Sequence, residues 1–375
     1  MNFGRTIPHA ILTIYLLEAG LTLAQIAYLQ IIYMIAIMLF EIPSGYFSDR
    51  WSRKYMYIFS IIFLTLAYVL IYLGYSNLYL LMFAWFLYGL SAALNSGTME
   101  SELINQIKAS NNDIKKLVIW NSYIASISSA VGAIMGSLLY INIGSEMYLI
   151  TFICFIISLI LALLFKVNVE TKNNIQGNVT SKPFLKNTIV QLLKDRSTQE
   201  IIVAFTLISL FIQPYYQYWQ VLFMDKGIPI AIFGIAFVVF QICNVLGAYI
   251  YGRINYNDKH SIYVLIVLTI LTIITLLNDN PVVFLILFMA VLTLFYIYFQ
   301  DLSVKLRERS SETNISTLNS LVGTFMNFSS IFVLAAFSVT IEYFSLYYNY
   351  IIYFTLFYIF SIVCVRLYAK KTTTF

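Results

Sequence analysis

The sequence predicts an all-α membrane protein: twelve transmembrane helices in two bundles of six, with both ends of the chain in the cytoplasm. Three observations predict it. The 375 residues are 61% hydrophobic and 10% charged, with a mean hydropathy of +0.83, whereas soluble domains carry about 25% charged residues. The apolar residues fall in successive runs of about 20, the length that spans a bilayer as helix. The basic residues collect on alternate sides of those runs, as retention on the cytoplasmic face requires.

The runs lie at approximately 3–17, 23–47, 55–75, 78–104, 116–140 and 147–166, then 199–223, 229–252, 261–278, 281–304, 314–341 and 346–368. Turn-forming residues separate them, among them Gly20, Ser76-Asn77, Gly144-Ser145, Gly227 to Pro229 and Asn278 to Pro281. The polar interval from Lys166 to Arg196 divides the runs six and six. The expected organisation is therefore a first bundle at 1–166, a cytoplasmic linker at 167–198 and a second bundle at 199–375. Of 22 Lys and Arg residues, all but Lys226 fall on the cytoplasmic side of this topology, Arg5 counted among them. Adding or removing one helix would scramble that asymmetry.

This pattern excludes a soluble domain with a single anchor, and also an outer-membrane barrel, whose strands alternate every second residue. The net charge of +5 is dispersed among short loops, so no nucleic-acid partner is expected. Cys154, Cys243 and Cys364 lie far apart in apolar runs and suit packing rather than metal binding. His9 and His260 are isolated. No phosphate-binding glycine loop and no catalytic constellation appears, so neither enzyme activity nor a cofactor is expected. The partners expected are a small-molecule substrate, protons and the lipid bilayer, with the chain a monomer. The first run is short for a core about 30 Å thick. Either the true start lies upstream of Met1, or the helix extends through Glu18 and Ala19.

Between the second and third runs stands Gly45-Tyr-Phe-Ser-Asp-Arg-Trp-Ser-Arg-Lys54, preceded by Glu41-Ile-Pro-Ser-Gly45. The spacing G-x-x-x-D-R-x-x-R-K resembles the signature loop of major facilitator superfamily transporters, and the resemblance covers essentially the whole chain. Ser96 to Glu100 and Tyr218-Trp219-Gln220 resemble patterns of bacterial drug-exporter-like members. The resemblance implies that Asp49 latches the cytoplasmic side shut, with Gly45, Arg50, Arg53 and Lys54 completing the device. A carboxylate at a helix N-terminus is favoured by the helix dipole; for Arg53 and Lys54, fixing topology is an equal alternative. The antiporter signature of the fifth run is incomplete: Gly132-Ala-Ile-Met-Gly136-Ser137 keeps two small residues four apart, the spacing that permits close helix contact. The fourth and tenth runs both end in acids before a basic turn, a faint sign of the internal duplication such transporters carry.

An ionisable residue inside a membrane helix is costly and by default faces a cavity or a partner. Glu41, Glu100 and Asp301 are thus the candidates for proton coupling, with interfacial or paired roles the alternative. Glu18 reads as a solvated loop acid. For substrate contact the seventh run offers Gln213, Tyr216, Gln217 and Trp219, joined by Gln241, Asn244, Asn95, Trp120 and Asn319. Buried amides need hydrogen-bond partners, and aromatics beside them suit flat or cationic ligands. No Arg or Lys is expected deep in the membrane, which argues against a dicarboxylate or phosphate substrate. The expected function is proton-coupled export of a small amphipathic compound (a drug, toxin or secreted metabolite) across a bacterial cytoplasmic membrane. Transport of a polar nutrient such as a sugar is the alternative, and a sensor or assembly partner on the same fold the non-transport one.

Overall fold

A computed structural model of the chain describes residues 1–50, 53–95, 114–165, 196–254, 256–309 and 315–372. Among them every regular element is helical. The first apolar run is two helices, α1 (Asn2–His9) and α2 (Leu12–Glu18). Pro8 lacks an N–H and stiffens the end of α1, and the chain bends before Ile11 restarts the helix. The run therefore does extend to Glu18. It stops there because Gly20 takes φ +88°, a conformation that side chains other than glycine rarely adopt. Leu21 N–H then bonds Leu16 C=O at 3.1 Å and Gly20 N–H bonds Leu17 C=O at 2.9 Å, a Schellman closure.

The remaining helices of the first half are α3 (Leu23–Arg50), α4 (Arg53–Leu73), α5 (Leu78–Asn95), α6 (Ile114–Ile143) and α7 (Met147–Leu164). The second half holds α8 (Arg196–Asp225), α9 (Phe233–Arg253), α10 (Asp258–Leu277), α11 (Pro281–Arg309), α12 (Ile315–Tyr343) and α13 (Leu346–Thr372). With α1 and α2 taken as one span, these are the twelve expected. The expected charged turn after the second run is mostly helix, since α3 continues through Pro43 to Arg50. At 1.5 Å per residue α3 is about 42 Å long, so its last turns stand in water beyond the hydrocarbon.

The chain divides into two compact units, Met1–Val179 with Pro229–Phe237, and Thr180–Ile228 with Val238–Phe375. In the first unit, α1 packs on α6 and α7, α5 on α3 and α4, and α4 on α7. In the second, α8 packs on α12 and α13, α10 on α11, and α10 on α13. Gly247 of α9 brings that helix against α11, where an added Cβ would meet Tyr296 Cβ at 2.7 Å. These pairings repeat with an offset of six spans, which is the internal duplication expected of the fold.

Lipid gives helices no hydrophobic reason to associate, so close packing and interhelical hydrogen bonds must hold them. The first unit packs around tyrosine: Tyr15, Tyr68 and Tyr148 are all buried, with rings 5.2–6.0 Å apart. The second packs around phenylalanine, with Phe211 stacked 4.4 Å from Phe295 and tilted 4.5 Å from Phe354. Large apolar side chains such as Leu73, Leu164, Val245 and Leu277 point outward, as a hydrocarbon solvent allows. Lys226, the base on the outer side, pairs with Asp279 at 2.9 Å and lies 5.1 Å from the Tyr347 ring centre.

Candidate functional site

The signature residues come first. Gly45 lies within α3, while the side chains of Asp49 and Arg50 lie outside what the structure describes, as do Glu100 itself and the side chain of Asn319. Lys54 has a defined partner: its Nζ donates to Leu163 C=O at 2.8 Å and Phe165 C=O at 2.7 Å. A lysine on the last carbonyls of α7 satisfies groups that the helix cannot pair itself and complements its dipole. Arg53 is half-buried at the start of α4. Ser44 Oγ donates to Glu41 C=O at 2.9 Å and to Ala93 C=O at 3.0 Å, tying α3 to α5 below the exposed Glu41 side chain.

Arg5 is placed where the charge count did not put it. Its Nε donates to Tyr88 Oη at 2.9 Å, and its guanidinium lies 5.3 Å from the Tyr88 ring centre. Tyr33 is a further neighbour of the guanidinium, and Tyr68 Oη donates to Arg5 C=O at 3.0 Å. Tyr33 and Tyr88 each lie ten residues from the outer start of their helices, and Tyr68 fifteen from the start of α4. At 1.5 Å per residue these are depths of about 15–22 Å, the middle of a core about 30 Å thick. Arg5 is therefore a mid-membrane cation in a tyrosine cage, not a cytoplasmic topology marker, and the expectation that no deep Arg or Lys exists is corrected. The sequence held the signal, because Arg5 falls inside the first apolar run. His9, one turn further along α1, is exposed and sets its ring edge-on to Phe237 at 5.5 Å.

The second unit repeats the arrangement without a charge. Tyr216 of α8 and Tyr296 of α11 share a short hydroxyl–hydroxyl bond, on the helices equivalent to α1 and α5. Gln213 Nε2 donates to Ser330 Oγ at 2.8 Å, and Ser209 and Ser329 join hydroxyls at 2.6 Å. These four residues tie α8 to α12. Gln217 is half-buried on the same helix. Trp219 sits elsewhere: it is 3% exposed, edge-on to Phe223 and Phe240 at 5.1 and 5.0 Å, in the aromatic core. Gln241 is exposed, Asn244 and Asn95 are half-buried, and Trp120 is 56% exposed against Tyr123. Gln213 and Tyr216 thus both enter polar side-chain contacts between helices of the second unit.

Asp301, 3% exposed, accepts from Lys305 Nζ at 2.7 Å and from Ser261 Oγ at 2.8 Å. The ion pair and the hydrogen bond compensate the burial of its carboxylate. Asp301→Asn is expected to lower stability by about 1–3 kcal/mol, because it leaves a half-buried ammonium short of its counter-ion. Thermal unfolding in detergent would measure this, and Lys305→Met in the same background should recover most of the loss.

The comparisons with known proteins accord with this architecture. A family model described as Major Facilitator Superfamily matches residues 1–229. No curated protein matches the sequence. Among solved structures, the nucleoside transporter NupG is similar with a TM-score of 0.75 and 14% identity, covering 99% of each chain. A bacterial homologue of the iron transporter ferroportin, in an inward-facing state, gives 0.72 at 15% identity over 97% of this chain and 95% of that one. The POT family transporter PepTSo gives 0.72 at 13% identity over 100% and 96%. At such identities the structural likeness speaks for the fold. The family match, covering more than half of a sequence that also carries the signature loop, speaks for more: this chain belongs to the Major Facilitator Superfamily and is a multi-pass membrane transporter of that kind.

Proposed function

We propose that the chain is a secondary active transporter, working by alternating access in a bacterial cytoplasmic membrane, for a small polar solute with an anionic or strongly hydrogen-bond-accepting group. The observation that carries this reading is Arg5, a guanidinium at mid-membrane depth beside the tyrosine hydroxyls of Tyr33 and Tyr88. A guanidinium has five donors in a fixed fork, and two hydroxyls leave donors for a ligand. A fixed cation at that depth repels lipophilic cations, so the polar-solute alternative is preferred over export of a cationic drug. Export of an uncharged amphipathic compound is the second reading, favoured by the Gln213–Ser330 and Tyr216–Tyr296 pairs with their mixed amide and aromatic character. Coupling to protons is proposed through Glu41, since Asp301 is already paired with Lys305.

The test is flux in proteoliposomes carrying an internal pH dye, with a panel of organic anions, sugars, nucleosides, dipeptides and lipophilic cations. Uptake or counterflow of an anionic or polar neutral solute is expected, with a pH change that disappears in Glu41→Gln. Transport of lipophilic cations alone would sink the substrate assignment, and flux without a pH response would sink the proton coupling. Asp49→Asn is expected to leave the protein folded by size-exclusion profile while slowing flux about tenfold or more, the size of a lost charge–dipole contact at a helix end of up to ~2 kcal/mol.

A further inference from the structure

We propose that the outer end of the first unit holds a binding site for a small organic ammonium ion, distinct from the Arg5 cluster. A cavity of about 320 Å³ opens there, lined by Tyr15, Glu18, Tyr75, Tyr140 and the Gly144–Ser145 turn. That volume is in the range of small-molecule sites. Glu18, exposed as a solvated acid is expected to be, ends α2 at the cavity wall and accepts a hydrogen bond from Tyr140 through Oε2. Its Oε1 remains for a ligand. Tyr15 is 1% exposed and held by its hydroxyl to Ile71 C=O at 3.2 Å, so its ring is a fixed wall. Tyr75 stands edge-on to it at 5.2 Å and is 41% exposed, free to cover a guest.

The charge balance selects the guest. Residues 15–23, 73–78, 140–147 and 229–237, which include every residue that lines the cavity, contain Glu18 and Glu146 and neither Lys nor Arg. Glu146 lies beside it, accepting from Tyr72 Oη at 3.3 Å. An anion would meet two carboxylates with no cation to offset them. A carboxylate beside several tyrosine rings is the arrangement that recognises alkylammonium groups, whose diffuse charge is drawn to aromatic faces and whose hydration is cheap to remove. A compact hydrated metal ion would want more oxygen ligands than the Glu18 carboxylate and the Tyr75 and Tyr140 phenols supply, since Tyr15 Oη is held by Ile71 C=O. The ligand class is therefore a quaternary or otherwise methylated organic ammonium, reached from the outer side.

The test uses the full chain in nanodiscs of phosphatidylglycerol, titrated calorimetrically with choline and with its neutral isostere carrying a tert-butyl group in place of trimethylammonium. Saturable choline binding is expected, with little or none for the isostere. Glu18→Gln should weaken choline about tenfold, the factor that corresponds to 1.4 kcal/mol. Tyr75→Phe should retain affinity and Tyr75→Ala lose it, a pair that serves even if Glu18→Gln does not fold. Absence of saturable binding, equal binding of the isostere, or unchanged affinity in Glu18→Gln would each overturn the site. Phosphatidylcholine in the discs separates the two sources of the ligand: competition identifies a lipid headgroup, and unchanged choline affinity a free solute, either of which supports an ammonium site.

Discussion

Arg5→Gln is expected to raise the KM of the transported polar solute at least about tenfold while leaving a folded, monodisperse protein. A hydrogen bond from a charged donor contributes about 1.5–3 kcal/mol net, which corresponds to roughly ten- to a hundredfold in affinity. The cage around Arg5 predicts the graded series. Arg5→Lys keeps the charge and loses the fork, so an intermediate KM is expected rather than full rescue. Tyr88→Phe removes the hydroxyl that accepts from Arg5 Nε at 2.9 Å but keeps the ring 5.3 Å from the guanidinium, so it should cost less than Arg5→Gln. Initial rates across substrate concentrations in proteoliposomes decide it. If Arg5→Gln transports with the KM of the parent, Arg5 is a structural cation and the polar-solute assignment falls with it.

The second large effect concerns folding. Gly136→Ala is expected to abolish most folded protein, because α6 lies directly on the backbone of α1. A Cβ at Gly136 would stand 1.7 Å from Ile7 O and 2.6 Å from Ile7 C, and at Gly132 it would stand 2.7 Å from Phe3 O. Those atoms are main chain and cannot swing aside, so one helix must move away from the other. Overpacking of this kind typically costs about 1–3 kcal/mol and sometimes more, and here the overlap is with backbone. Gly323→Ala and Gly252→Ala are the controls, since nothing lies within 4 Å of either added Cβ. They should match or slightly exceed the parent, as alanine is the better helix former. Fluorescence-detected size exclusion and thermal unfolding measure all three; a Gly136→Ala protein as stable as the parent would refute the contact.

The same pair of glycines shows where sequence and structure part. The spacing of Gly132 and Gly136 was legible as a close helix contact, but not which helix it met. That partner, α1, is fixed only when the bundle closes. Glu18 and Arg5 show it from the electrostatic side. Both are single charges whose neighbours come from other helices: Tyr140, 122 positions away, for Glu18, and Tyr88, 83 positions away, for Arg5. Trp219 and Gln213 stand six residues apart on one helix, yet one packs in the aromatic core and the other reaches Ser330 on α12.

By itself the sequence determined the solvent, the number of spans, their direction and the signature loop. These follow from local physics: each run of about 20 apolar residues must pair its own backbone bonds in hydrocarbon, and each basic loop resists crossing. The tertiary structure alone decided which polar side chains became cage, core, cap or cavity wall. Inside a bilayer almost every face of a helix is apolar, so periodicity carries little information about which face meets which neighbour, and that choice rests on packing between helices far apart in the chain.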